Sequence, residues 1–184
     1  ALSGNGEPSS SRAFHAVLVL LQEVLAEFDL LHKINVVVIS NGSLVLQKPV
    51  QLGLQQLEKL KGSLWFKIDR VQQQDILRVN QVVQTPAQIQ QQLLVASRLC
   101  STWIQTCWFM QDGLLPSAEE VSAYLQFLTA SLRLGVVLEG VLLYGLARPS
   151  LQPEASRLQP VSAEWLENFA AQIRSLGLIV KCTP

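Results

Sequence analysis

Charge, cysteine and histidine are all scarce in this chain. Only 15% of its 184 residues are charged, and Lys+Arg and Asp+Glu number 14 each. A net charge of zero, with no run of Lys or Arg, removes the broad electrostatic case for DNA, RNA or an anionic membrane as partner. Three cysteines, an odd number, argue against a disulfide framework and for a reducing cytoplasm. Cys100 and Cys107 have six residues between them and Cys182 is far away, a spacing that fits neither a zinc site nor an iron–sulfur cluster. The two histidines, His15 and His32, have no acid and nucleophile nearby in sequence, so no hydrolytic triad can be built on them. No run reaches the roughly 18 apolar residues that a membrane helix needs. The best run, residues 16–28, is broken by Gln22, Glu23 and Glu27.

Hydrophobic residues, in contrast, make up 49% of the chain, enough for one domain over residues 1–184 with a sizeable core. Glutamine supplies much of the polar surface, as at 72–74 and 88–92, and these runs read as solvated helix faces. One element recurs: a polar start, a helical period, a glycine and a short apolar strand. Thr85-Pro86, Ser117 with Glu120, and Ser162 are helix starts, and Gly62, Gly135 and Gly177 are helix stops that lead into apolar runs. Helices are expected near 10–29, 49–60, 72–79, 86–99, 117–134 and 162–176. Strands are expected as a stub at 1–3, then near 34–40, 64–70, 101–109, 137–145 and 178–182. Such alternation predicts βα units and a parallel sheet whose order follows the chain, curved as a partial barrel. Helices confined to one face of the sheet are expected to count against that architecture. Residues 149–160, with three prolines and no period, read as a loop.

Several residues stand out as site candidates. Ser3-Gly4-Asn5-Gly6-Glu7-Pro8 is a glycine-rich turn ending in a carboxylate, which places one negative charge where an ammonium could be met. In residues 64–70, period two sends Leu64, Phe66 and Ile68 to one face and Trp65, Lys67 and Asp69 to the other. Lys67 and Asp69 either neutralise one another or bind the polar end of a ligand. Gln105 shares a face with Cys107 and wants hydrogen-bond partners, which a backbone or a nucleobase edge can supply. Ser40-Asn41-Gly42 is either a simple turn or a second edge of the same pocket. Arg148, past a strand end, suits a carboxylate or phosphate and equally an exposed surface position.

SGNGEP resembles the glycine-glycine-glutamate motif of radical S-adenosylmethionine enzymes, with Asn5 in place of the usual first glycine. Downstream, VVVISNGSL, SLWFKIDR, WIQTCWFM and LLYGLARPS each resemble the end of a successive barrel strand of that superfamily, over nearly the whole chain. The resemblance implies an α/β fold, a partial TIM-type (β/α) barrel of parallel strands covered by helices, with the first strand missing. It implies that Glu7 and the backbone of Gly4, Asn5 and Gly6 hold the amino group of S-adenosylmethionine. Ser40, Asn41, Lys67, Asp69, Gln105 and Arg148 would then line the rest of the cofactor. The superfamily's three-cysteine cluster motif is absent, so the [4Fe–4S] ligands are expected to lie outside this chain. That leaves the chain inactive alone, with reductive cleavage to a 5′-deoxyadenosyl radical in an intact protein that meets an electron donor and an unknown substrate. An unpaired sheet edge beside residues 1–3 predicts self-association. The alternatives are a non-enzymatic remnant or partner subunit of the same shape, and a Rossmann-like nucleotide binder.

Overall fold

The computed structural model describes residues 1–3, 6–146 and 153–184. Its helices are α1 (Phe14–Glu27), α2 (Lys48–Lys59), α3 (Gln73–Asn80), α4 (Pro86–Leu99), α5 (Ala118–Arg133) and α6 (Ala163–Arg174). Its strands are β1 (Val37–Ser40), β2 (Ser63–Lys67), β3 (Thr102–Cys107), β4 (Phe109–Gln111), β5 (Gly140–Tyr144), β6 (Leu158–Pro160) and β7 (Val180–Thr183).

Helix starts form where the sequence places them. Thr85 and Ser117 each accept the backbone N–H three residues on, in complete capping boxes, and Ser162 accepts from the Trp165 N–H. Gly135 and Gly177 stop α5 and α6 at φ +87° and +85°. The stop after α2 is different. Lys61, not Gly62, takes the left-handed conformation, and Gly62 is needed because a Cβ there would lie 2.7 Å from the Val36 carbonyl oxygen.

Five strands form one parallel sheet in the order β1-β2-β3-β5-β7, and Leu2 adds a parallel bridge to Val38 outside β1. The order follows the chain throughout. Right-handed crossovers between strands that advance in one direction put every helix on the same side. Five of the six helices accordingly pack as a single layer, α1 on α2, α2 on α4, α4 on α5 and α5 on α6. One-sided covering therefore does not count against a barrel; it is what a barrel requires, since the other face becomes the interior. The chain is an α/β partial barrel.

Cross-strand register assigns the two faces. Val38, Leu64, Phe66, Ile104, Val141 and Leu143 are each at most 1% exposed and pack under the helices. On the inner face Trp65 lies beside Trp103, and Lys67 lies beside Gln105 and then Leu142, all half-buried except the exposed Lys67. The sequence misses one feature. Residues 158–160 are not irregular; they form β6, which pairs antiparallel with β4 above the end of β3. Arg157 Nε and Nη2 donate to the two oxygens of Asp112 at 2.7 Å each, fixing that ribbon.

Candidate functional site

Local chemistry builds the rim from the first turn. Glu7 precedes a short 3₁₀ turn, Pro8–Ser10, and caps it by accepting the Ser9 N–H at 3.1 Å and the Ser9 hydroxyl at 2.6 Å. The same oxygen, Oε1, accepts the Ser40 hydroxyl at 2.6 Å, and Oε2 accepts the Asn41 N–H at 2.8 Å. Glu7 thus ties the first turn to the C-terminal end of β1. Oε2 carries one donor here, which leaves it capacity for another. Gly6 is exposed, its φ lies outside the left-handed region, and a Cβ there would meet nothing within 4 Å. The turn therefore does not depend on a positive φ at Gly6.

The Asn41-Gly42 turn is held from both sides. The Gly42 N–H donates to the Ser40 hydroxyl at 3.0 Å, and Asn41 Oδ1 accepts the Ser43 N–H at 2.9 Å. Gly42 has φ +72°, and a Cβ would collide with the Phe66 ring at 1.9 Å. Both conformation and close packing therefore demand glycine.

Lys67 and Asp69 pair with each other, Nζ to Oδ2 at 2.8 Å. Asp69 is 3% exposed and does more than neutralise a lysine. Its Oδ1 accepts the Cys107 N–H at 2.9 Å and its Oδ2 accepts the Asn80 amide at 3.0 Å, joining the ends of β2 and β3 to α3. The Asp69 carboxylate raises the Lys67 pKa, with burial acting against it. Lys67, Asp69 and Asn41 line one cleft of about 530 Å³ together with Asn80, Gln84 and Gln92. Gln84 donates to Gln92 at 2.7 Å, so Gln92, one of the glutamines that read as solvated surface, instead walls a polar cleft.

The rim thus brings together Glu7, Ser40 and Asn41, and through Asn41 joins them to Lys67 and Asp69. Gln105 stands next to Lys67 in register on the inner face. Gly4, Asn5 and Arg148 lie outside the described residues.

Sequence reasoning missed Arg70, which is 4% exposed. Its Nη1 donates to the Asp69 and Cys107 carbonyls at 2.8 and 3.2 Å, its Nε donates to Glu120 at 3.1 Å, and its guanidinium lies 4.2 Å from the Trp108 ring centre. Burial lowers the Arg70 pKa, opposed by Glu120 and Asp69. Glu120 also accepts Arg78 at 2.5 Å, and its other oxygen accepts the Ser117 N–H at 2.8 Å. Burial would raise its pKa, but the Ser117 N–H and the two arginines outweigh that and hold it low. The one hint in sequence is Arg70 directly after Asp69; Glu120 is 50 residues away.

The thiols do not fit an iron–sulfur cluster. Cys100 is 4% exposed before β3 begins, and burial pushes its pKa up to about 12. Cys107 ends β3, on the order of 20 Å away at strand spacing. Burial and then the Asp69 charge raise it to about 12, against Lys67 and Arg70. Cys182 lies on β7, in register with Leu143 of the helix-side face, whereas Cys107 is in register with Tyr144 of the inner face. Among the described residues no three His, Cys, Asp or Glu side chains converge as a metal site. No helix among them is long and apolar enough to cross a membrane.

No protein-family model and no curated protein sequence matches this chain. Solved structures do. A domain of pyruvate-formate lyase-activating enzyme from Bacteroides vulgatus superposes with TM-score 0.66 at 13% identity, over 97% of this chain and 95% of that one. Streptococcus suis SuiB, solved bound to S-adenosylmethionine, gives 0.63 at 12% identity over 97% of this chain and 38% of its own. A radical SAM methyltransferase from Sphaerobacter thermophilus gives 0.51 at 13% identity over 79% of this chain and 39% of its own. The chain has the partial-barrel fold of radical S-adenosylmethionine enzymes.

Proposed function

We propose that this chain is an S-adenosylmethionine-binding domain of a radical enzyme, holding the cofactor on the rim at the C-terminal ends of β1, β2 and β3. One observation carries the reading. A chain-ordered parallel barrel brings the Glu7–Ser40–Asn41 clasp and the Lys67–Asp69 pair to the same rim, with Gln105 beside them on the inner face. Glu7 Oε2 would accept the cofactor's ammonium. Asp69 would accept ribose hydroxyls, and Gln105 would read an adenine edge. Reductive cleavage to a 5′-deoxyadenosyl radical, with its electron donor and substrate, is the chemistry the resemblance implies. It needs cluster-binding thiolates other than Cys100, Cys107 and Cys182, so these 184 residues are assigned binding and positioning alone.

Titration calorimetry with S-adenosylmethionine tests this directly. Weak, saturable binding is expected, because one charge-assisted hydrogen bond contributes only about 1.5–3 kcal/mol. Glu7→Gln and Lys67→Met should each weaken it while the circular dichroism spectrum stays folded. A second reading has its own support: the Glu7 carboxylate already accepts from Ser9, Ser40 and Asn41, as a purely structural clasp would. On that reading the chain is a non-enzymatic scaffold, Glu7→Gln lowers stability, and no cofactor heat is seen with either protein.

A further inference from the structure

Helix α1 carries an apolar stripe that nothing among the described residues covers. Val17, Leu20 and Val24 are 42%, 57% and 41% exposed, and Phe28, the residue that caps the helix, is 67% exposed. Their spacings of three, four and four residues are those of a helix–helix seam, which recurs every three to four residues. The stripe is distinct from the faces α1 already uses. Leu18 and Leu25 are buried in the core, Gln22 hydrogen-bonds Gln56 of α2, and Phe14 packs on Gly53. Val17, at the start of the stripe, lines one hollow with Leu2, whose described hydrogen bonds go to Val37 and Ile39.

Charge says what fits the seam. Arg12, in the turn entering α1, and Glu23 and Glu27, near its end, are exposed and form no ion pair among the described residues. Arg12 stands just before the helix, and Glu23 and Glu27 lie four residues apart near its C-terminal end, so basic and acidic groups sit at opposite ends of the seam. These charges also oppose the helix's own dipole. The first turn has no acid and the last no base, and Glu27 sits at the negative end. An antiparallel copy of the same helix corrects both faults: it sets Arg12 of each chain against Glu27 of the other, and it lays each acidic end beside the partner's positive one.

We infer that α1 is the contact of a homodimer, packed antiparallel on α1 of a second copy with Leu20 near the two-fold axis. The site on the rim takes no part in the contact, and the inference stands apart from the proposed cofactor. With only 14 helical residues in each seam, the association is weak and salt-dependent.

Sedimentation equilibrium of the whole chain, from about 5 to 200 µM, measures it. A reversible monomer–dimer equilibrium is expected, weakened at least about tenfold by Leu20→Glu, an exposed position where folding should survive. Arg12→Glu alone should weaken the dimer, and combining it with Glu23→Arg and Glu27→Arg should restore it. A monomer throughout the range overturns the inference, and is the result if the stripe is instead covered by a strand–helix segment of another protein. A dimer indifferent to Leu20→Glu, in protein shown to be folded by circular dichroism, also overturns it and moves the contact elsewhere.

Discussion

Replacing Asp69 tests the rim where structure and proposed function meet. Asp69→Ala removes the acceptor of the Cys107 N–H, a half-buried backbone donor, at about 1–3 kcal/mol. It also frees the Asn80 amide, which lines the cleft and can turn to water at lower cost. The Lys67 ammonium loses its partner too, but its side chain is 41% exposed and re-solvates, so that pair contributes less than about 1 kcal/mol. The expected total is about 2–4 kcal/mol in urea unfolding. Asp69→Asn keeps an oxygen for the Cys107 N–H and should cost about 1 kcal/mol. pH supplies a second readout. Because Asp69 raises the Lys67 pKa in the folded chain, the pair's stabilisation is complete below the free lysine value of about 10.4 and is lost as pH rises through the higher folded value. Asp69→Asn should flatten that alkaline limb. An Ala variant within 1 kcal/mol of the parent, or an Asn variant as damaged as Ala, would refute this account of the rim.

Glu120→Ala should destabilise the chain by about 2–4 kcal/mol, because it strands the buried Arg70 with only carbonyl acceptors. The Glu120 pKa is held low in the fold, so its contribution is present above the free glutamate value of about 4.3 and disappears as pH falls through the folded value; acid unfolding of the variant should lack that component. Gly42→Ala puts a Cβ into the Phe66 ring at a positive φ and should cost about 2–4 kcal/mol, read as a lowered thermal midpoint. Anaerobic incubation with iron and sulfide should leave the purified chain without cluster absorption, and a thiol reagent should label Cys100 only on unfolding.

Much of this architecture is local and therefore legible in the residues. Capping chemistry at Thr85, Ser117 and Ser162 and the alternation Leu64-Trp65-Phe66-Lys67 depend on neighbours within a few positions. They set the helix starts, the strand faces and the parallel, chain-ordered sheet. The motif at Ser3–Pro8 and the strand-end segments point to the rim on which Glu7, Ser40, Asn41, Lys67 and Asp69 stand. What each of those residues touches is another matter, because their partners are far away in sequence. Ser40 reaches Glu7 across 33 positions, and Asp69 reaches Cys107 across 38. The same holds for the β4–β6 ribbon, whose strand at 158–160 is three residues long and has no period of its own, and which exists only because β4 offers it an edge. Gln92 reads from the sequence as solvated helix face; only the fold of the loop that carries Gln84 onto α4 turns it into cleft wall. Short-range sterics and capping act through the chain itself, whereas a hydrogen bond between distant residues forms only after burial has brought them together.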